Sequence, residues 1–267
     1  MTCATEWYGP GENSRLLYSA MQFLILNGTF LNRFDMKNKI EYGDNMKILG
    51  IDESGRGPVL GPLVICGYLV DEKNIAKLKK LGVKDSKLLT DKKRKKLAPK
   101  LKKLAEDYML VEVTAREIDK FRGVANLNRI EIAYMKNIIK SLPAGRIVVD
   151  SPEVRTKKFA QKLARGLRLD GSTLIAENFA DKNHTEVAAA SIIAKVHRDA
   201  AIEKLHRKYG FFGSGYCSDE RTIAFLKDWM KKNKEFPSFV RKSWVTAMLI
   251  KEEWQQKRLE KFLEDEN

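Results

Sequence analysis

Two carboxylates stand side by side in Asp52-Glu53-Ser54-Gly55-Arg56-Gly57-Pro58, directly after the apolar run Ile48-Leu49-Gly50-Ile51. Like charges repel and burial adds to the cost, so adjacent acids at a strand end are unfavourable unless something relieves them. A divalent cation does so, and hard oxygen donors suit Mg²⁺ or Mn²⁺. Gly55 and Gly57 bracket Arg56, a pattern that lets backbone N–H groups approach a phosphate while arginine offers a charged fork. Two further acids fall where elements should change: Asp150 after Arg146–Val149, and Asp181 at the start of a predicted long helix. Four carboxylates without a histidine or cysteine partner suit two-metal phosphodiester hydrolysis. His184, His197 and His206 are spaced by thirteen and nine residues and make no ligand set. Cys3, Cys66 and Cys217 form neither a disulfide framework nor a zinc pattern, which fits a reducing interior.

The elements that must position these acids follow from apolar periodicity and turn residues. Ile48–Ile51 reads as a buried strand, and Pro62–Val70 as a second strand and hairpin partner. A short helix over Asn74–Leu81 is closed by Gly82. Thr90 should cap a helix carrying Lys92, Lys93, Arg94, Lys95 and Lys96, with Pro99 expected to restart it. That basic run is either a solvated face or a phosphate contact. Tyr108–Val113, Arg146–Val149 and Thr173–Ala176 read as three more strands. Ile130, Tyr134, Ile138 and Leu142 mark a core helix, and Lys157–Leu167 another. A single helix is expected from Asp181 to Tyr209, stopped by Gly210. Its Ala188-Ala189-Ala190-Ser191 segment lacks bulk and can lie close to a sheet. After Gly213-Ser214-Gly215-Tyr216 only helical patterns remain, at 219–232 and 243–263.

The fold class is therefore α/β, a mixed five-stranded sheet flanked by helices with a C-terminal helical extension. Strand ends in such sheets converge on one crevice. One constraint stands in the way. Neighbouring side chains on a strand face opposite sides, so Asp52 and Glu53 can share a site only if the strand ends or twists there.

The chain has 267 residues, 43% of them hydrophobic, and a net charge of +15. That excess suits nucleic acid, though a lysine-rich surface alone would also produce it. Residues 1–45 differ, with four basic residues against five acidic. Their apolar stretch Leu16–Leu31 is interrupted by Ser19, Gln22, Asn27 and Thr29. It is too short and polar to span a membrane, and nothing frames it as a signal peptide. The expectation is a cytoplasmic protein whose residues 1–45 are an extension, with Met46 the preferred start.

Asp-Glu-Ser-Gly-Arg-Gly-Pro resembles the opening motif of the type 2 ribonucleases H, in which Ala is more usual at position 54. The resemblance runs from about Met46 to about Thr246 and implies a ribonuclease H-like sheet. It implies that Asp52, Glu53, Asp150 and Asp181 are the catalytic acids that hold Mg²⁺ or Mn²⁺. Asp181 is matched through Ala-Ala-Ala-Ser-Ile-Ile-Ala-Lys, which begins seven residues later. Lys87 of Asp85-Ser86-Lys87, with Lys195 and Arg198, is implied near the substrate backbone. Gly55, Arg56, Gly57 and Tyr216 are implied as readers of a 2′-OH at an RNA–DNA junction, a group that both donates and accepts. Cys217 stands where Pro is usual, which removes a brace from the loop holding Tyr216. Type 3 enzymes lack the Gly-Arg-Gly and carry a longer N-terminal domain, so type 2 is preferred.

The implied activity is hydrolysis of the RNA strand of RNA–DNA hybrids and incision 5′ of single ribonucleotides in duplex DNA. Another ribonuclease H-like nuclease and a non-catalytic hybrid binder are the alternatives. A monomer is expected, with a catalytic domain over 46–215 and a helical region over 216–267. Within the latter, Gln256, Leu259, Phe262 and Leu263 resemble the clamp-binding box of replication and repair proteins. An amphipathic helix packed on its own protein would show the same spacing.

Overall fold

Strand β1 (Lys47–Ser54) lies at the centre of a five-stranded sheet in a computed structural model that describes residues 46–83 and 89–265. The expected extension over 1–45 and the expected substrate contact Lys87 fall outside the described residues. β1 pairs antiparallel with β2 (Leu63–Asp71), which pairs antiparallel with β3 (Asp107–Val113). On its other side β1 pairs parallel with β4 (Arg146–Asp150), and β4 parallel with β5 (Thr173–Glu177). The order β3-β2-β1-β4-β5 is the mixed sheet expected from the sequence. Every residue of β2 is buried, as its unbroken apolar run requires of a strand covered on both faces.

Side chains of β1 divide between two cores. Leu49 and Ile51 face α4 (Leu127–Ser141) and α5 (Thr156–Ala164), joined there by α8 (Glu220–Lys232) and α9 (Val245–Asp265). Ile48 faces the other core, with α1 (Ile75–Lys80), α2 (Asp91–Leu104) and α7 (Thr185–Tyr209). The alanines 188–190 of α7 are buried in that core, and the helix comes so close that a Cβ on Gly50 would sit 2.4 Å from the backbone carbon of Glu186. Only glycine fits at that approach.

Three elements differ from the sequence expectation. Pro99 lies inside a continuous α2 and does not restart it. Burial of Leu97, Ala98 and Leu101 on the sheet holds both halves in line despite the missing N–H. The long helix after Phe179 is broken at His184, whose extended backbone separates α6 (Ala180–Asn183) from α7. A helix absent from the sequence reading, α3 (Ala115–Arg122), starts at a reciprocal capping box between Thr114 and Glu117.

The close contact at Gly50 carries a test. Gly50→Ala should lower stability by about 1–3 kcal/mol through overpacking, measured by urea unfolding. An unchanged midpoint would mean that α7 can retreat from β1 without cost.

Candidate active site

β1 does not stop at Ile51 but continues to Ser54, pairing Asp52 with Cys66 and Glu53 with Ile65 of β2. The two acids therefore do face opposite sides. Asp52 points to the α7 side, where Ser191 hydrogen-bonds to it and Lys195 lies close enough to favour its charge. Lys195 Nζ in turn donates to Ser191 Oγ at 2.5 Å. Glu53 points to the α4 side, toward Glu131 and Arg56.

They still form one electrostatic unit, because β4 ends alongside β1. Ile51 pairs with Val149, so Asp150 follows at the same edge, and its charge acts on both acids of β1. Asp150 Oδ1 accepts the Ala180 N–H at 2.8 Å. That bond fixes the first turn of α6, where Asp181 is buried as the next residue. The four acids thus come from β1, β4 and the start of α6.

Their environment resists full ionisation. Burial, opposed by Lys195 and reinforced by Asp150, pushes the Asp52 carboxyl up to about 7. Burial, then Glu131, Asp52 and Asp150, hold Glu53 well above the usual carboxylate range, with Arg56 pulling the other way. Glu53 Oε2 is buried and accepts no hydrogen bond. A buried carboxylate oxygen with no donor, facing other acids, fits a cation better than a proton donor. Among the described residues, no three of His, Cys, Asp or Glu close on one point tightly enough to hold an ion in the recorded side-chain positions.

Beside the acids lies Gly55-Arg56-Gly57. Gly55 takes a φ of +88°, and a Cβ there would meet the Pro62 carbonyl oxygen at 2.5 Å. The structure departs from expectation at Arg56. Its guanidinium is engaged by the buried carboxylate of Glu131 and by the Asn128 side chain, so the charged fork turns inward.

Tyr216 reaches the same place from a distant loop. A Cβ on Gly57 would be 3.6 Å from its Cε1 atom, and the ring is 41% exposed. Arg198 lies beneath the ring, 5.4 Å from its centroid, and is itself buried. The structure puts Arg198 under the tyrosine rather than on the open surface. Asp219 accepts the Ser214 N–H at 2.8 Å and Thr222 accepts the Gly215 N–H at 3.0 Å. These bonds brace the loop from α8, on the side where Cys217 replaces the stiffer proline.

Sequence reasoning missed Glu131, Asn128, Arg241 and Trp244. Glu131 did leave a signal: it shares the helical row of Met135, Ile138 and Leu142, where an apolar residue belongs. Arg241, in a basic C-terminal segment, left none.

Strand order, acids at adjacent strand ends and a glycine loop beside them define a nuclease of ribonuclease H-like fold. The family model for ribonuclease HII matches residues 49–247. A ribonuclease HII of Pyrococcus horikoshii is 46% identical over 221 residues, covering 82% of this chain and 100% of the relative. A crystal structure of the ribonuclease H2 of Pyrococcus horikoshii OT3 superposes with a TM-score of 0.75 at 46% identity, over 79% of this chain and 99% of that one. A ribonuclease HII of Archaeoglobus fulgidus, solved in complex with PCNA, gives 0.68 at 39% identity, over 74% and 95%. The chain belongs to the ribonuclease HII family, in its archaeal-like form.

The inward arginine yields a prediction. Glu131→Ala leaves Arg56 without its buried partner. A fully buried pair broken this way costs roughly 3–5 kcal/mol, and the partial exposure of Arg56 reduces this to about 2 kcal/mol. Urea unfolding should show that loss, and a change below a few tenths would mean that Arg56 finds water instead.

Proposed function

We propose that the protein is a metal-dependent endoribonuclease that cuts RNA paired with DNA and incises 5′ of single ribonucleotides in duplex DNA. The observation that carries this is the meeting of Tyr216 with Gly57 immediately beside the acids of β1 and β4. A surface that can stack on a nucleotide while backbone groups approach its sugar, set next to clustered carboxylates, suits recognition and hydrolysis at one junction. The net charge of +15 suits the polyanion.

Asp52, Glu53, Asp150 and Asp181 are the residues proposed to hold Mg²⁺ or Mn²⁺. Two ions bound at these oxygens would stabilise charge on phosphorus and on the departing 3′ oxygen, and would ease deprotonation of the attacking water. The chain's own groups set the stage for this. Ser191 and Lys195 orient Asp52, the Ala180 N–H orients Asp150, and Arg56 offsets the paired charge of Glu53 and Glu131. Tyr216, supported by Arg198, would place the ribonucleotide so that the phosphate on its 5′ side meets the acids. The products would carry 3′-OH and 5′-phosphate ends.

The decisive assay uses duplex DNA carrying one ribonucleotide. The parent protein should nick on its 5′ side with Mg²⁺ and stop with EDTA. Asp150→Asn should slow nicking at least about a hundredfold, equivalent to roughly 2.7 kcal/mol, while duplex binding in a gel-shift assay persists. A variant rate within twofold of the parent would remove Asp150 from the site.

The C-terminal tail supports a second interaction. Residues 256–263 form the last turns of α9, a continuous helix with Leu259 and Leu263 exposed at 60% and 53%. The side chain of Phe262, the remaining expected anchor, lies outside what the structure describes. Exposed apolar anchors at helical spacing suit a hydrophobic groove on a partner, and the Archaeoglobus fulgidus relative was solved with PCNA. A peptide spanning 254–267 should bind the sliding clamp of the same organism in titration calorimetry. Phe262→Ala with Leu263→Ala should abolish binding, at about 1.5–3 kcal/mol per lost anchor. No heat from the parent peptide would overturn this reading.

A further inference from the structure

Arg241 has no exposed surface and, among the described residues, makes no direct salt bridge, although Asp119 and Glu131 lie near enough to favour its charge. Each of its three nitrogens donates to a backbone carbonyl of one loop region. Nε donates to the Gly61 carbonyl at 3.0 Å, Nη1 to the Arg56 carbonyl at 2.9 Å, and Nη2 to the Gly55 carbonyl at 2.5 Å. Three residues on, the Trp244 Nε1–H donates to the Gly57 carbonyl at 3.1 Å. The guanidinium lies 4.8 Å from the centroid of that indole ring. Two residues of the C-terminal region thus hold every carbonyl of Gly55-Arg56-Gly57.

Burying an unpaired charge is costly, and a well-packed apolar side chain is often as stable or more so. Fold stability alone is therefore a poor reason for an arginine here. Geometry supplies a better one. In a planar trans peptide the N–H of the next residue points opposite to the carbonyl. Drawing the Gly55 and Arg56 carbonyls onto Arg241 turns the N–H groups of Arg56 and Gly57 away from that guanidinium. The Gly57 carbonyl, held by Trp244, is followed by Pro58, which has no N–H to place. Only the planar fork of arginine meets three carbonyls at once; the compact ammonium of lysine does not.

We propose that Arg241, with Trp244, is a positioning residue for sugar discrimination: it holds the Gly55–Gly57 peptides with their N–H groups presented to the 2′ substituent of the nucleotide. The inference rests on the ribonuclease reading above. Arg241 touches no substrate and acts only through the loop backbone.

Two duplexes of one sequence test it, one with a single ribonucleotide and one with a 2′-fluoro-2′-deoxynucleotide in its place. Nicking is followed under enzyme excess, and kcat/KM is compared as a ratio between the duplexes. Fluorine cannot replace the hydroxyl as donor and acceptor, so the parent should prefer the ribonucleotide strongly. Arg241→Lys should shrink that preference at least about tenfold, the equivalent of one or more lost hydrogen bonds, by slowing the ribonucleotide duplex and leaving the fluoro duplex nearly unchanged. If that variant does not fold, as judged by thermal melting, Arg241→Gln decides: its single amide cannot hold both the Gly55 and Arg56 carbonyls, and the preference should still fall measurably. A folded variant that slows both duplexes in proportion, or keeps the parental ratio, overturns the proposal and leaves the ribonuclease reading intact. A parent protein that nicks neither duplex overturns both.

Discussion

Parallel pairing of β1 with β4 is the constraint on which the rest of this structure turns. With Ile51 opposite Val149, both strands finish at one edge, and Asp52, Glu53 and Asp150 are carried into the same buried corner. An antiparallel partner would end elsewhere and the acids would never meet. Once the register is fixed, repulsion among the carboxylates has to be managed locally, and each neighbour does part of that. Ser191 and Lys195 of α7 serve Asp52, the first N–H of α6 serves Asp150, and Arg56 stands between Glu53 and Glu131. Gly50 lets α7 approach β1 closely enough for its side chains to reach.

The sheet was legible because its strands are short, strongly apolar and bounded by glycine, proline or acidic residues, signals that tertiary packing reinforces. Asp150 could be picked out for the same reason, as a charge placed where an apolar run stops, whereas Asp181 rested on its place at a helix start and on the resemblance of the Ala-Ala-Ala-Ser-Ile-Ile-Ala-Lys block after it. What could not be read was contact across the sequence. The inward turn of Arg56 depends on Glu131 and Asn128, more than seventy residues away. Pro99 looked like a boundary because the local rule against proline in helices is strong, but burial of Leu97 and Leu101 outweighed it. The break at His184 failed to show for the opposite reason. No glycine or proline marks it, and the interruption comes from tertiary fit, with Ala180 tied to Asp150 and Glu177 bonding to the His184 ring at 3.0 Å.

Asp52 and Glu53 show how an apparent contradiction in the sequence resolves. Alternation predicted that they diverge, and they do. Their charges nevertheless act on one another and on Asp150, because all three acids stand at the same strand edge. Two different helices, α7 and α4, supply the nearest partners of these two adjacent residues.

Arg56 joins the two halves of this arrangement. Its carbonyl is held by Arg241 from the C-terminal region, while its guanidinium is held by Glu131, beside Glu53. The Gly55–Gly57 backbone and the acids Glu53 and Glu131 are therefore tied through one side chain. That tie needs only a short loop whose carbonyls are held from behind and whose charged end reaches the neighbouring acids.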